Sequence, residues 1–224
     1  MEAVVRVIAD QVEFVEADFA SDTDIAAVHA REHVERVKRK GLYPIASLAA
    51  GGAVRAAETG MKEPAFGLIR PPGHHAWTNY SSGYCYFNNM AVAIMKLKNE
   101  GLIENCFILD IDLHYGDGTV DILGDRFWAA VYNPASSSRN KYLRDIEQIM
   151  SGVNVDIIGV SAGFDGHVKD WNGFLETEDY RKIGKWVSGA ARRSGSGCFG
   201  ILEGGYNKKV LGRNVEAFIE GLAS

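Results

Sequence analysis

Ile108-Leu109-Asp110-Ile111-Asp112-Leu113-His114-Tyr115-Gly116-Asp117-Gly118 decides how this chain is read. An apolar strand runs into three carboxylates and a histidine. Such charges cannot stand unpaired in a low-dielectric interior, so they face water or hold a metal ion. Strand side chains alternate faces, which predicts that Asp110, Asp112 and His114 point the same way. Mixed oxygen and nitrogen donors at that spacing suit a metal site.

Outward from this strand the pattern repeats. Ala65–Ile69, Phe107–Ile111, Trp128–Tyr132, Asp156–Ser161 and Phe199–Leu202 are short, apolar and continuous, as strands covered on both faces are. A further strand is expected near Val4–Ile8. Helical stretches lie between them, at Asp24–Lys40, Ile45–Thr59, Phe87–Asn99, Lys141–Met150, Thr177–Arg193 and Lys209–Leu222. Asp22-Thr23-Asp24 supplies N-cap chemistry, and Gly41 and Gly101 fall where C-caps belong. Ser136-Ser137-Ser138 and Ser194-Gly195-Ser196-Gly197 read as loops. The alternation predicts an α/β fold in three layers, a mostly parallel sheet with helices on both faces. Residues 1–224 read as one catalytic domain.

Ligands of open α/β sheets sit beyond the carboxyl ends of the strands. Four strands deliver polar residues to that edge: His74 and His75, then Asp112 and His114, then Asp165, then Glu203 and Tyr206. Asp112, His114 and Asp165 would make a three-ligand metal centre, with a position left open for water or substrate. His74 and His75 follow Arg70-Pro71-Pro72-Gly73, and a histidine beside activated water can serve as general base and then acid. Asp110 and Asp117 are the carboxylates available to orient them. The Tyr206 hydroxyl could donate to the oxyanion of a tetrahedral intermediate. Gly83 leaves room beside Tyr84 for a substrate wall. His29 and His33, four residues apart, resemble a metal pair but read as structural, because no carboxylate strand end accompanies them.

Bulk properties exclude several classes. The chain has 224 residues, 46% of them hydrophobic, with net charge −5 and pI near 5.7. No basic footprint for nucleic acid is present. Three spaced cysteines argue against a disulfide framework and for a reducing compartment. No apolar run approaches the ~20 residues of a membrane span, and the first ten residues lack a signal-peptide core. A cytoplasmic location is the expectation.

The motifs Arg70–His75, Gly83-Tyr84-Cys85-Tyr86-Phe87-Asn88-Asn89, Asp110–Thr119, Ser161-Ala162-Gly163-Phe164-Asp165 and Glu203-Gly204-Gly205-Tyr206-Asn207 resemble, in order, those of the zinc-dependent histone deacetylases and acetylpolyamine amidohydrolases. The resemblance implies an arginase/deacetylase-like fold and hydrolysis of an N-acetyl amide, from acetyl-lysine, an acetylpolyamine or a similar amine. It implies one zinc ion at Asp112, His114 and Asp165. It makes His75, oriented by Asp117, the base, and His74, paired with Asp110, its electrostatic partner. Tyr206 would polarise the acyl carbonyl, while Gly83, Tyr84 and Gly204 would border the substrate. A potassium ion near Asp110, Asp112 and His114 is implied as well.

Against the family pattern the chain is short. The His-Pro-Glu strand is missing, the loop between Val37 and Ala49 has little room for an acidic rim residue, and the wall-forming loop after Tyr132 is reduced to Asn133–Asn140. A wider, shallower site is expected, with apolar surface that a second subunit could cover. Two other readings remain open: a binuclear ureohydrolase on the same fold, and a non-enzymatic relative that binds an acylated ligand or a protein.

Overall fold

In the computed structural model, which describes residues 2–171 and 173–224, five strands form one parallel sheet. They are β1 (Ala65–Gly67), β2 (Cys106–Asp110), β3 (Ala129–Tyr132), β4 (Ile157–Ala162) and β5 (Gly197–Leu202), in the order β1-β5-β4-β2-β3. Alternation along each strand divides the core in two. Ile108, Ile157, Phe199 and Ile201 face one layer, built by α4 (Tyr43–Gly60), α5 (Asn89–Asn99) and α6 (Asp117–Leu123). Phe107, Leu109, Ile158, Val160 and Leu202 face the other, built by α1 (Glu2–Ile8), α7 (Arg139–Gly152), α8 (Thr177–Ser194) and α9 (Leu211–Leu222). Full burial of each such side chain stabilises by roughly 1.5–3 kcal/mol. Helices therefore cover both faces, as the apolar strands require.

The sheet also fixes where a ligand can sit. The chain leaves β1 and β2 for the first layer, but leaves β4 and β5 for the second. The neighbouring pairs β1/β5 and β4/β2 are thus switch points, where the loops part and open a crevice. Register lines up the strand ends: Asp110 pairs with Ser161, and Ala162 with Leu202. Everything that follows these strands converges on one edge.

Several local expectations are corrected. Val4–Ile8 is not a strand; it lies in α1, where Val4 and Ile8, one turn apart, are buried. Packing on the α9 side overrides the β propensity of its valines. Asp24–Lys40 is two helices, α2 (Asp22–Ala26) and α3 (Arg31–Arg39). The break has a cause: Ala30 N–H donates to Thr78 O at 2.8 Å, which holds the backbone out of a continuous helix. Ser21, rather than Asp22–Asp24, is the N-cap, in a capping box with Asp24. Ser194 and Gly197 belong to α8 and β5, leaving Gly195 and Ser196 between them. Gly41 and Gly101 take the left-handed φ of C-caps, +70° and +69°.

His29 and His33 are structural. His29 Nδ1–H donates to Trp77 O at 2.9 Å, and its Nε2 accepts the Asn88 N–H at 2.9 Å. Both bonds are satisfied only by the neutral ring. Burial, then the neighbouring His33, lowers the His29 pKa to about 4. The unfolded chain binds this proton near 6.5, so it takes up more protons than the folded chain between about pH 6.5 and 4. Stability is therefore full above that window and falls on acidification, by about 3 kcal/mol for this group. Urea unfolding of wild type and His29→Gln across pH 7 to 4 measures it: the difference in slope should account for that loss. Parallel pH profiles would contradict it.

Candidate active site

Strand alternation positions these groups only as far as Asp110, the last residue of β2. Beyond it the chain turns, and each carboxylate holds the backbone two residues on. Asp110 Oδ1 accepts the Asp112 N–H at 3.1 Å, and Asp112 Oδ1 accepts the His114 N–H at 3.0 Å. Asp110, Asp112 and His114 are consequently not one row. Asp110 turns to His74, accepting its Nδ1–H at Oδ2 across 3.1 Å. Asp112 and His114 turn to Asp165.

Donor atoms of Asp112, His114 and Asp165 lie within 4.8 Å of one another. His114 Nδ1 stands 3.2 Å from Asp112 Oδ1 and 3.0 Å from Asp165 Oδ2. Asp165 is fully buried, and its Oδ2 has no hydrogen-bond partner. Asp112 Oδ2 accepts the Gly204 N–H at 2.7 Å, while Asp165 Oδ1 accepts the Leu113 N–H at 3.1 Å. Backbone N–H groups thus hold both Asp112 oxygens and one Asp165 oxygen, and Asp112 Oδ1 and the unpartnered Asp165 Oδ2 are the two that face the imidazole. Two anionic oxygens and a ring nitrogen with nothing cationic between them fit a divalent ion. Among the described residues this is the one convergent set of its kind. A Cβ on Gly163 or Gly204 would overlap Asp112 Oδ2, so glycine is what lets the strands approach. Gly204, expected beside the substrate, lies buried against the Asp112 and Asp165 carboxylates.

Electrostatics follow from crowding. Burial, then the Asp112 charge, pushes the Asp165 carboxyl up. Burial works against ionised Asp112 too, but the His114 hydrogen bond and the His74 charge outweigh it and hold Asp112 low. His114 is raised, chiefly by its hydrogen bond to Asp112.

The histidine pair lies beside this set, ring centroids 4.1 Å apart. Each ring has its own carboxylate, on its own Nδ1. His74 is buried on Asp110; burial alone would discharge it, but the Asp110 and Asp112 charges hold its pKa well above the usual range. His75 is more open, with Nδ1 2.7 Å from Asp117 Oδ1. Burial would raise Asp117, but the bonds from His75 and Trp77 outweigh it and hold it low. His75 lies 6.1 Å, centroid to centroid, from His114.

The aromatic residues form a rim. Tyr206 is 44% exposed, and burial with the nearby Asp112 and Asp165 charges pushes its hydroxyl up to about 12. Gly83 takes φ +57°, and a Cβ there would strike the His75 ring. Tyr84 takes φ +63° and is exposed, standing outward at the edge. The loop between β3 and α7, Asn133 to Ser138, is short, and Asn133 Oδ1 is tied to the Gly116 N–H at 2.8 Å.

Four residues support the site without a role assigned to them from sequence, although Glu203 was placed at this edge. Glu203, buried at the end of β5, accepts the N–H groups of Gly73 and His74 at 2.7 and 3.2 Å, fixing the histidine turn; burial raises its carboxyl to about 7. A carboxylate leaving an apolar strand was the available signal, as at Asp112. Arg70 donates to Gly205 O at 2.9 Å, and Asp170 and Trp171 hold Tyr206 from the other loop. His167 Nδ1 accepts the Lys169 N–H at 3.1 Å, outside the donor set.

Comparisons with known proteins bear on the family and the fold. A family model, "Histone deacetylase domain", matches residues 1–131 and 126–222, the two stretches meeting at β3, just before the short loop. A "Probable deacetylase" of Methanothermobacter thermautotrophicus is 30% identical over 93% of this chain and 78% of its own length. An "Acetylpolyamine amidohydrolase" of Mycoplana ramosa is 30% identical over 71% of this chain and 56% of its own. The crystal structure of the HDA15 HD domain superposes with a TM-score of 0.86 at 23% identity, covering 99% of this chain and 80% of that one, which shows the fold. On the matched residues and the identity to these relatives, this chain belongs to the histone deacetylase domain family of hydrolases.

Proposed function

We propose that this chain is a zinc-dependent amidohydrolase that removes the acetyl group from acetyl-lysine, an acetylpolyamine or a similar small N-acetyl amine. The observation that carries the reading is the juxtaposition of two sets: the Asp112–His114–Asp165 donors, and beside them two histidines, each with its own carboxylate. The acetylpolyamine amidohydrolase relative supports a small acetylated amine as substrate. Residues 1–224 act as one catalytic domain in this reading, one zinc ion per chain, in the cytoplasm. A potassium ion near Asp110, Asp112 and His114 belongs to the same proposal.

Asp112, His114 and Asp165 would hold the ion, which supplies charge that polarises an acyl carbonyl and acidifies water. Asp117 fixes the His75 proton on Nδ1, leaving Nε2 free to take a proton from the attacking water. The same nitrogen then returns it to the departing amine. His74, buried among Asp110, Asp112 and Glu203, keeps its proton and stabilises negative charge as the amide is attacked. Tyr206 retains its hydroxyl proton at neutral pH and donates it as a hydrogen bond to the acyl oxygen. The open rim suits short or flexible amines better than a gripped peptide backbone.

The test is acetate release by zinc-loaded protein from an acetyl-lysine peptide and a set of acetylated polyamines, with a chelator control. Chelator-sensitive release from at least one member is expected. No release from any, with metal bound, would overturn the proposal in favour of a binding protein or a different acyl substrate.

A further inference from the structure

Tyr206 follows Gly204 and Gly205, the latter at φ +124°, in a loop outside any helix or strand. Its placement therefore depends on neighbours from elsewhere in the chain. Arg70 donates to Gly205 O at 2.9 Å and its guanidinium lies 5.9 Å from the Tyr206 ring centroid, and the remaining neighbours are residues 169–171. The Trp171 indole stacks on the Tyr206 ring, with centroids 5.0 Å apart and planes 29° apart. The same indole stands edge-on to His114, at 5.3 Å and 81°. Trp171 N–H donates to Asp165 O at 3.3 Å. Asp170 Oδ2 accepts the N–H groups of Tyr206 and Asn207, both at 2.8 Å, and Lys169 O accepts the Asn207 side-chain amide.

Trp171 is 55% exposed, so burial does not account for where the ring lies. Its ring contacts run to Tyr206 and to His114, a member of the donor set.

We infer that Trp171 is a positioning residue for the hydrolysis, its stacked indole fixing the plane of Tyr206 and so the direction of the phenol hydroxyl. The inference rests on the reading of Tyr206 as donor to the acyl oxygen. Offset stacking of this kind shifts the population of one ring orientation by up to roughly tenfold. Trp171 acts through Tyr206 and touches no reacting atom.

A double-mutant cycle tests it, using zinc-loaded protein with N-acetylputrescine and an acetyl-lysine peptide. Tyr206→Phe should lower kcat by roughly 10²–10³-fold. Trp171→Ala should lower kcat by up to roughly tenfold with KM little changed, and Trp171→Phe should restore most of the loss. In the Tyr206→Phe background, Trp171→Ala should then add almost nothing. In chelated protein, the Trp171 indole N–H resonance should shift on Tyr206→Ala, since that ring sits against it. Losses that multiply in the double variant, an unmoved indole resonance, or metal lost from Trp171→Ala would each overturn the inference while leaving Tyr206 in its role. Full turnover by Tyr206→Phe would instead remove the reading of Tyr206 on which the inference stands.

Discussion

Asp165→Asn is expected to abolish metal retention and with it turnover, while making the metal-free protein more stable. Both effects follow from one geometry. Asp165 is fully buried, one of its oxygens lacks a hydrogen-bond partner, and the ionised Asp112 stands beside it across His114. In the absence of a cation that arrangement costs free energy, because burial and a like charge both oppose ionisation. An amide of the same shape keeps the bond from Leu113 N–H and removes the repulsion. The gain in the chelated protein should be on the order of 2 kcal/mol. Excess zinc should stabilise wild type in proportion to the logarithm of its concentration, and should not stabilise the variant. Thermal unfolding of both proteins, with chelator and with zinc, reads all four states. A chelated variant less stable than chelated wild type would mean that Asp165 is structural. A variant that still gains stability from zinc would mean that the ion sits elsewhere.

The second large effect concerns the histidine pair. His75→Ala should lower kcat by roughly 10²–10⁴-fold, the usual worth of a positioned general base, with metal content unchanged. Asp117→Asn should cost about 10²-fold or more on its own. Its amide can present N–H to His75 Nδ1, which stabilises the tautomer with the proton on Nε2, where the base must be free. The pair of variants separates chemistry from folding. Asp117 is partly exposed at the start of α6, so the substitution removes little packing. If Asp117→Asn matches wild type, His75 does not take the proton from water, and His74 becomes the candidate base. Rates measured from pH 5 to 9 make the comparison complete.

Most of the candidate site was legible in the sequence because it lies at the ends of strands. Apolar runs such as Ile157–Ala162 announce buried strands, and a carboxylate at the end of one cannot be idle. The sequence pattern alone therefore puts Asp112, His114, Asp165, His74 and His75 at one edge. Local reading failed where long-range contacts decide the backbone. The valines of α1 read as a strand until the second core layer fixes Val4 and Ile8 as one helical face. The break between α2 and α3 is imposed by Thr78, far along the chain.

Strand alternation also misled at Asp110, since it assumes a strand that in fact stops there. The supporting residues were hidden for the same reason. Nothing beside Trp171 in the sequence points to Tyr206, and nothing beside Glu203 points to the turn at Gly73 and His74. α6 is only seven residues long and begins inside the Asp110–Thr119 stretch, too short for a periodic signal.

The central claim is that Asp112, His114 and Asp165 hold one catalytic divalent ion. Titrating metal-free protein with zinc, while following bound metal and acetate release together, tests it most directly. The account predicts that activity rises in step with occupancy and saturates at one equivalent per chain. Saturation at two equivalents, or acetate release that persists in chelated protein, would contradict it.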